Sequence, residues 1–248
     1  MSGHSKWHNI KLKKGKVDAQ RGALFTKLSK EIILAAKSGS PDPEANYRLK
    51  MAVEKAREFN MPQDNIKRAI ARASGGSDER EIEEIRYEGY GPNGLAVVAD
   101  VATDNRNRTA GELRFLFSRH EGNLGESGSV AWMFDPVGIL DVDPAGKSED
   151  AFMEASLLDG VEDIEYDPDL AVIYTQPARL AGVRDELRER GAKISDAYLG
   201  MRPKTKIELQ GTDLSAALAF LDALDEHEDV QRVFSNLDFS RVPAESLA

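Results

Sequence analysis

Residues 137–175, VGILDVDPAGKSEDAFMEASLLDGVEDIEYDPDLAVIYT, decide the architecture of this chain. Val137 to Val142 reads as a strand, Glu149 to Leu158 as a helix, and Val161 to Tyr166 and Leu170 to Thr175 as two further strands. Pro177 to Arg190 then reads as a helix and Lys193 to Tyr198 as a strand. The order β-α-β-β-α-β, in a length that suits one module, is the ferredoxin-like arrangement. The expected fold class is therefore α+β, with this module as one of several domains.

Upstream, the pattern runs from helix to strand. Between residues 17 and 38, Leu24, Phe25, Leu28, Ile32 and Ala36 share one arc at 100° per residue, with Lys27, Lys30 and Lys37 on the other side. Two more helices are predicted, from about Pro43 to Phe59 with Asp42 as N-cap, and from about Pro62 to Ala73, which makes a small three-helix bundle. Ile85 and Tyr87 lead through Gly91-Pro92-Asn93-Gly94 into a second apolar run, Leu95 to Ala102, and this is a hairpin. A helix from Asn105 to Glu121 and a strand from Val130 to Phe134 follow. Beyond the ferredoxin-like module, a strand near Thr205 to Leu209, a helix from Asp213 to Asp225 and a strand from Val230 to Ser235 lack a core of their own. They are expected to rejoin the sheet begun at Ile82, so that the module is an insertion. The resulting division is a basic arm (1–16), a helical bundle (17–78), a discontinuous α/β domain (79–134 and 204–240), the inserted domain (135–203) and a tail (241–248).

Composition restricts the chemistry. The 248 residues include no cysteine, which removes disulfides, zinc-thiolate sites and cysteine nucleophiles and fits a reducing, cytoplasmic setting. No run of about 18 apolar residues is present and no apolar segment follows the basic start, so neither membrane insertion nor secretion is expected. No GxSxG, Walker or GxGxxG motif follows a strand, so the expectation is a protein that is not an enzyme, with no cofactor and no small-molecule substrate. His4 and His8 lie four apart in a stretch without helical character and with no third ligand near, and His120 and His227 sit at helix ends among charged residues, where solvation or C-capping is the simpler role.

Net charge is −10 but unevenly spread. Residues 1–75 carry 16 Lys and Arg against 7 Asp and Glu, and the rest 17 against 36, so the two parts stand at +9 and −19. A basic segment on an acidic body presents a local field to phosphates on one face only. Its members are Lys6, Lys11, Lys13, Lys14, Lys16 and Arg21, followed on the first helix by Lys27 and Lys30, and Trp7 among them can stack on an exposed base. A second basic element is TDNRNRT, residues 103–109, where Asn105, Arg106, Asn107, Arg108 and Thr109 stand at a helix start. That cluster can bind an anion or can be a helix cap with its arginines in ion pairs; both remain open. GNLGESGSV, residues 122–130, offers close backbone approach or serves as a connector. Asp100, Asp104 and Glu112 could converge on Mg²⁺ or Mn²⁺, which keeps open a structure-selective DNA nuclease of the Holliday-junction type.

With GHSKWHNIK, LFTKLSKEI, DPEAN, NMPQDNI, YEGYGPNG, TDNRNRT and GNLGESGSVAWMF in this order, the chain resembles the YebC/PmpR family of bacterial regulatory proteins, which also includes the mitochondrial translational activator of cytochrome oxidase subunit one. The resemblance covers essentially the whole chain. It implies a cytoplasmic protein with a helical N-terminal domain and two α/β domains. It also implies a nucleic-acid partner: promoter DNA for a transcriptional regulator, or ribosomal RNA or tRNA for a ribosome-associated translation factor. By resemblance, His4, Lys6, Trp7, Asn9 and Lys11, with the loop from Asn105 to Thr109, are the contact residues. After Lys11 the chain departs from the family pattern, with LKKGKVDAQRG in place of a version richer in histidine and arginine. No helix-turn-helix is expected, because the third helix, with Lys67, Arg68 and Arg72, lacks a clear tight turn before it and a base-reading set of Asn and Gln.

Overall fold

The computed structural model describes residues 18–73 and 80–242, with the side chains of residues 18–21 and 241 outside the description. The helices are α1 (Asp18–Lys37), α2 (Tyr47–Glu58), α3 (Gln63–Ala73), α4 (Arg106–Arg119), α5 (Glu149–Ser156), α6 (Leu180–Glu189) and α7 (Gly211–Glu226). The strands are β1 (Glu83–Tyr90), β2 (Ala96–Thr103), β3 (Asn123–Leu124), β4 (Phe134–Asp143), β5 (Val161–Glu165), β6 (Ala171–Thr175), β7 (Lys193–Pro203) and β8 (Val230–Ser235). They form two four-stranded sheets, β3-β1-β2-β8 and β5-β6-β4-β7, in a chain that divides into two compact units. One unit holds the described chain up to Ala131 together with Gln210–Val233; the other holds Trp132–Leu209 and the chain from Phe234. Among the described residues no helix is long and apolar enough to cross a membrane.

In the first unit the apolar arc of α1 is buried as its periodicity predicts. Leu28, Ile32 and Ala36 pack with Leu49, Ala52 and Val53 of α2 and with Ile66 and Ala69 of α3, while Leu24 and Phe25 lie at the margin. The same core takes in Ile82 and Ala102, so the three helices close over the start of the sheet rather than forming a self-contained bundle core. The N-cap of α2 is Asn46, four residues after the expected Asp42. Asn46 Oδ1 accepts the Leu49 N–H at 3.1 Å, and its Nδ2 donates to the Ala35 and Ser40 carbonyls, both at 2.8 Å. Asp42 instead accepts the Glu44 N–H at 3.0 Å in a local turn.

The hairpin forms as predicted. β1 and β2 pair antiparallel from Glu83 opposite Thr103 to Tyr90 opposite Ala96, across a turn in which Asn93 takes φ 57°. β2, central in its sheet, is buried along nearly its whole length. β8 returns beside β2 as expected, whereas residues 205–209 belong to the other unit. Phe117 of α4 and Phe220 of α7 meet edge to face with ring centres 4.9 Å apart.

The second unit has the β-α-β-β-α-β order in antiparallel register, with α5 and α6 over a core of Leu140, Val142, Phe152, Ile173, Val183 and Leu187. Two expected strands differ. Val130 to Phe134 is a short 3-10 turn, Ala131–Met133, leading into β4, which runs on through Pro136. β6 pairs with β4 only from Gly138 onward, so at Pro136, opposite Met201 of β7, β4 has a partner on one side only, an edge position that tolerates proline. The strand expected near residues 205–209 is reduced to one parallel bridge, Ile207 with Leu237.

Candidate functional site

The start of α4 is organised by a carboxylate from the far end of the sequence. Asp229 precedes β8, its side chain wholly buried. Oδ1 accepts from the Lys30 ammonium, and Oδ2 accepts from Arg108 Nη2 at 2.9 Å and Thr109 Oγ1 at 2.6 Å. Burial alone would raise this carboxyl group's pKa, but the hydrogen bonds from Lys30, Thr109 and Arg108 outweigh it and hold the pKa at about 2. Behind Thr109 the polar chain continues. The Asn105 N–H donates to Thr103 Oγ1 at 3.0 Å, and the hydroxyls of Thr103 and Thr109 are 2.8 Å apart. With Thr109 donating to Asp229, Thr103 donates to Thr109, and each buried hydroxyl is satisfied. The Asp229 N–H donates to His227 Nδ1 at 3.1 Å, which leaves the ring proton on Nε2, 3.2 Å from Glu112 Oε2.

This geometry separates the roles within TDNRNRT. Asn105 is the N-cap of α4, its Oδ1 accepting the Arg108 N–H at 3.2 Å, and Thr109 is buried, so these two are structural. Arg108 is shared among Asp229, Asp104 at 3.3 Å and Glu112 at 3.9 Å. Arg106 and Asn107 are exposed, and Arg106 forms no salt bridge among the described residues. The helix-cap reading therefore holds for Asn105, with Arg108 in ion pairs, while Arg106 and Asn107 stay exposed.

Lys27 and Lys30 do not face solvent as the periodicity of α1 suggests. Lys27 donates to the Asp225 carbonyl, and Lys30 donates to Asp229 and, at 3.2 Å, to the Glu228 carbonyl. The polar side of α1 meets the segment between α7 and β8, which no local pattern in α1 could reveal. An ammonium held by a buried carboxylate is not offered to a phosphate. Of the remaining predicted contact residues, His4, Lys6, Trp7, Asn9, Lys11, Lys13, Lys14 and Lys16 lie outside the described residues, as does the side chain of Arg21.

The acidic candidates do not converge. Asp100 sits opposite Arg86 across the hairpin and takes a two-pronged contact from it, 2.7 Å from Nε and 3.0 Å from Nη2, while Asp104 and Glu112 both turn to Arg108. Among the described residues Glu112, His227 and Asp229 do bring possible ligand atoms within 4.8 Å of one another. Both oxygens of Asp229 are already taken by donors, two of them cations, so this group is an ion-pair knot rather than a metal centre.

The glycine-rich segment is likewise occupied from within. Glu88, buried in β1, accepts the backbone N–H groups of Gly128 (2.9 Å), Val130 (3.0 Å) and Ala131 (2.7 Å). Burial would raise the Glu88 pKa, but the three backbone donors and Arg86 bring it below its ordinary value. The close backbone approach at Gly128 to Ala131 thus serves to enclose this carboxylate.

Two surface features escaped the sequence reading. The turn between α2 and α3 is only four residues, with Asn60 at φ 60°, so a tight turn does precede α3, whose exposed face carries Gln63, Lys67 and Arg68. Phe115 on α4 is 68% exposed. Its position off the arc of Thr109, Leu113 and Phe117 is the signal that would have found it.

Fold and site together describe a multidomain α+β protein with four exposed arginines on α4, the first turn of which is held by Asp229. Residues 5–76 match the TACO1/YebC protein N-terminal domain and residues 82–237 the TACO1/YebC second and third domain. This chain belongs to the TACO1/YebC family. A relative from Desulforamulus reducens, named "Probable transcriptional regulatory protein", is 50% identical over 240 residues, covering 96% of this chain and 99% of its own. One of the same name from Rubrobacter xylanophilus is 48% identical, covering 97% and 96%. The crystal structure of conserved hypothetical protein Aq1575 from Aquifex aeolicus superposes with a TM-score of 0.83 at 41% identity, over 90% of this chain and 92% of that one.

Proposed function

We propose that this protein is a cytoplasmic, non-enzymatic regulator of gene expression that acts by binding nucleic acid, in the first instance as a DNA-binding transcriptional regulator. The observation that carries this reading is the braced start of α4, where Arg106 and Asn107 are exposed while Asp229 holds Arg108 and Thr109 beneath them. The names of the relatives support the regulatory role. The exposed Gln63, Lys67 and Arg68 of α3, after a four-residue turn, supply a second surface for duplex, and the lysines of the N-terminal arm add charge to the same partner.

The test is duplex binding as a function of salt. Arg106→Ala should weaken binding and make the slope of log K against log salt shallower by about 1, and Lys67→Ala with Arg68→Ala by about 2. Slopes unchanged in both variants would remove these surfaces from the account. A second reading, a ribosome-associated translation factor that contacts ribosomal RNA or tRNA, is favoured by the exposed Phe115, because an aromatic ring suits unpaired bases better than a closed duplex. It predicts salt-sensitive co-sedimentation with ribosomes, and absence from every ribosomal fraction would exclude it.

A further inference from the structure

α4 carries Arg106, Arg108, Arg114 and Arg119 against a single acid, Glu112, in a chain of net charge −10. Its inward face is Thr109, Leu113 and Phe117. At 100° per residue the opposite face centres on Gly111 and Phe115, with Ser118, Arg114 and Arg119 alongside. Arg114 and Arg119 are exposed and, like Arg106, form no salt bridge among the described residues. Glu112, the one acid, is turned toward Arg108 and His227.

Two features of this face are costly for the folded chain on its own. A phenylalanine 68% exposed on a regular helix gains little from burial. A glycine in mid-helix weakens it relative to alanine, yet a Cβ added at Gly111 would meet no atom within 4 Å. Nothing in the protein requires Gly111 to lack a side chain, whereas a ligand lying along the helix gains close backbone approach there. Gly111 is one turn before Phe115 and Arg119 one turn after it, so the three share a stripe. From Gly111 to Arg119 the stripe extends about 12 Å, a track for a short run of nucleotides rather than one phosphate.

We propose that this outward face of α4 binds an unpaired polynucleotide strand, with a base stacked on Phe115, the strand seated over Gly111, and Arg114 and Arg119 pairing with its phosphates. The proposal rests on the nucleic-acid reading above and narrows it to a single strand. Positive charge beside an exposed ring complements a chain of phosphates and flat bases, and the same arginines would repel the basic flank of a protein partner. Asp229 serves it at a distance as a positioning residue that anchors the first turn.

The experiment measures fluorescence anisotropy of the full chain with labelled oligomers of equal length: oligo-uridine, oligo-thymidine, an abasic strand and a duplex. The wild type should bind the base-bearing single strands more tightly than the duplex. Phe115→Ala, a surface change, should weaken that binding about tenfold, Phe115→Trp should retain it, and the two should bind the abasic strand alike. Gly111→Leu should weaken binding to both the base-bearing and abasic strands. Tighter binding of uridine assigns RNA, and equal or tighter binding of thymidine assigns DNA. If Phe115→Ala changes nothing while Arg106→Ala weakens every probe, or if duplex is preferred, the strand proposal is overturned and the nucleic-acid reading stands. If no probe binds, both fall.

Discussion

Replacing Asp229 by asparagine removes one negative charge from a site with no exposure while leaving Lys30 and Arg108 in place. Lys30 is itself nearly buried, its side chain 11% exposed, so the variant strands a cation away from water. Breaking a buried pair in this way costs about 3–5 kcal/mol. A second figure comes from the carboxyl pKa, lowered from 3.8 to about 2, which corresponds to about 2 kcal/mol of stabilisation. The two figures bracket an expected loss of about 3 kcal/mol at neutral pH, a fall in melting temperature of about 10 °C. The sign of the pH dependence follows from the lowered pKa: the unfolded chain takes up this proton more readily, so the stabilisation is complete above about pH 5 and is lost as pH falls toward 2. Calorimetry of wild type and Asp229→Asn across this range should show a gap that narrows with acid. A loss below about 1 kcal/mol at neutral pH, or a gap constant down to pH 2, would refute the reasoning.

Three other outcomes can be measured separately. Glu88→Gln puts an amide where three backbone donors point, so it should destabilise by about 2 kcal/mol and speed hydrogen exchange at Gly128, Val130 and Ala131; unchanged protection there would show that the carboxylate does not hold the loop. Asn46→Ala removes the cap of α2 and two bonds to the preceding segment, for an expected loss of about 2 kcal/mol in urea denaturation, whereas Asp42→Ala should cost less than half as much. Gly111→Ala should raise stability by about 1 kcal/mol, since its Cβ meets nothing, and a decrease would mean that α4 is not regular at this position.

Local periodicity carried the reading of the elements a long way. The arc of Leu28, Ile32 and Ala36, the alternation leading into the Pro92-Asn93-Gly94 turn, and the β-α-β-β-α-β order each describe which face a segment must bury, and burial imposes the same answer in three dimensions. The errors arose where a distant segment decides. Asp42 and Asn46 are comparable caps in sequence, and the choice falls to Asn46 because its amide also reaches Ala35 and Ser40. Lys30 looks solvent-facing until Asp229, 199 residues away, is brought against it. What the glycine-rich residues 122–130 approach was hidden for the same reason, since the donors of Gly128 and Val130 are taken by Glu88 from β1. Within TDNRNRT, composition identified the element, but only the placement of Asp229 and Thr103 tells the structural Asn105 and Thr109 from the exposed Arg106 and Asn107.

Crosslinking in cells tests the central claim most directly, with the nucleic acid sequenced and the modified peptides located by mass spectrometry. The account predicts recovery of nucleic acid and a nucleotide adduct on the tryptic peptide FLFSR, residues 115–119, which begins at Phe115. Promoter DNA on that peptide assigns the transcriptional role, and ribosomal RNA or tRNA the translational one. Recovery of no nucleic acid, or adducts confined to the ferredoxin-like unit, would contradict the account.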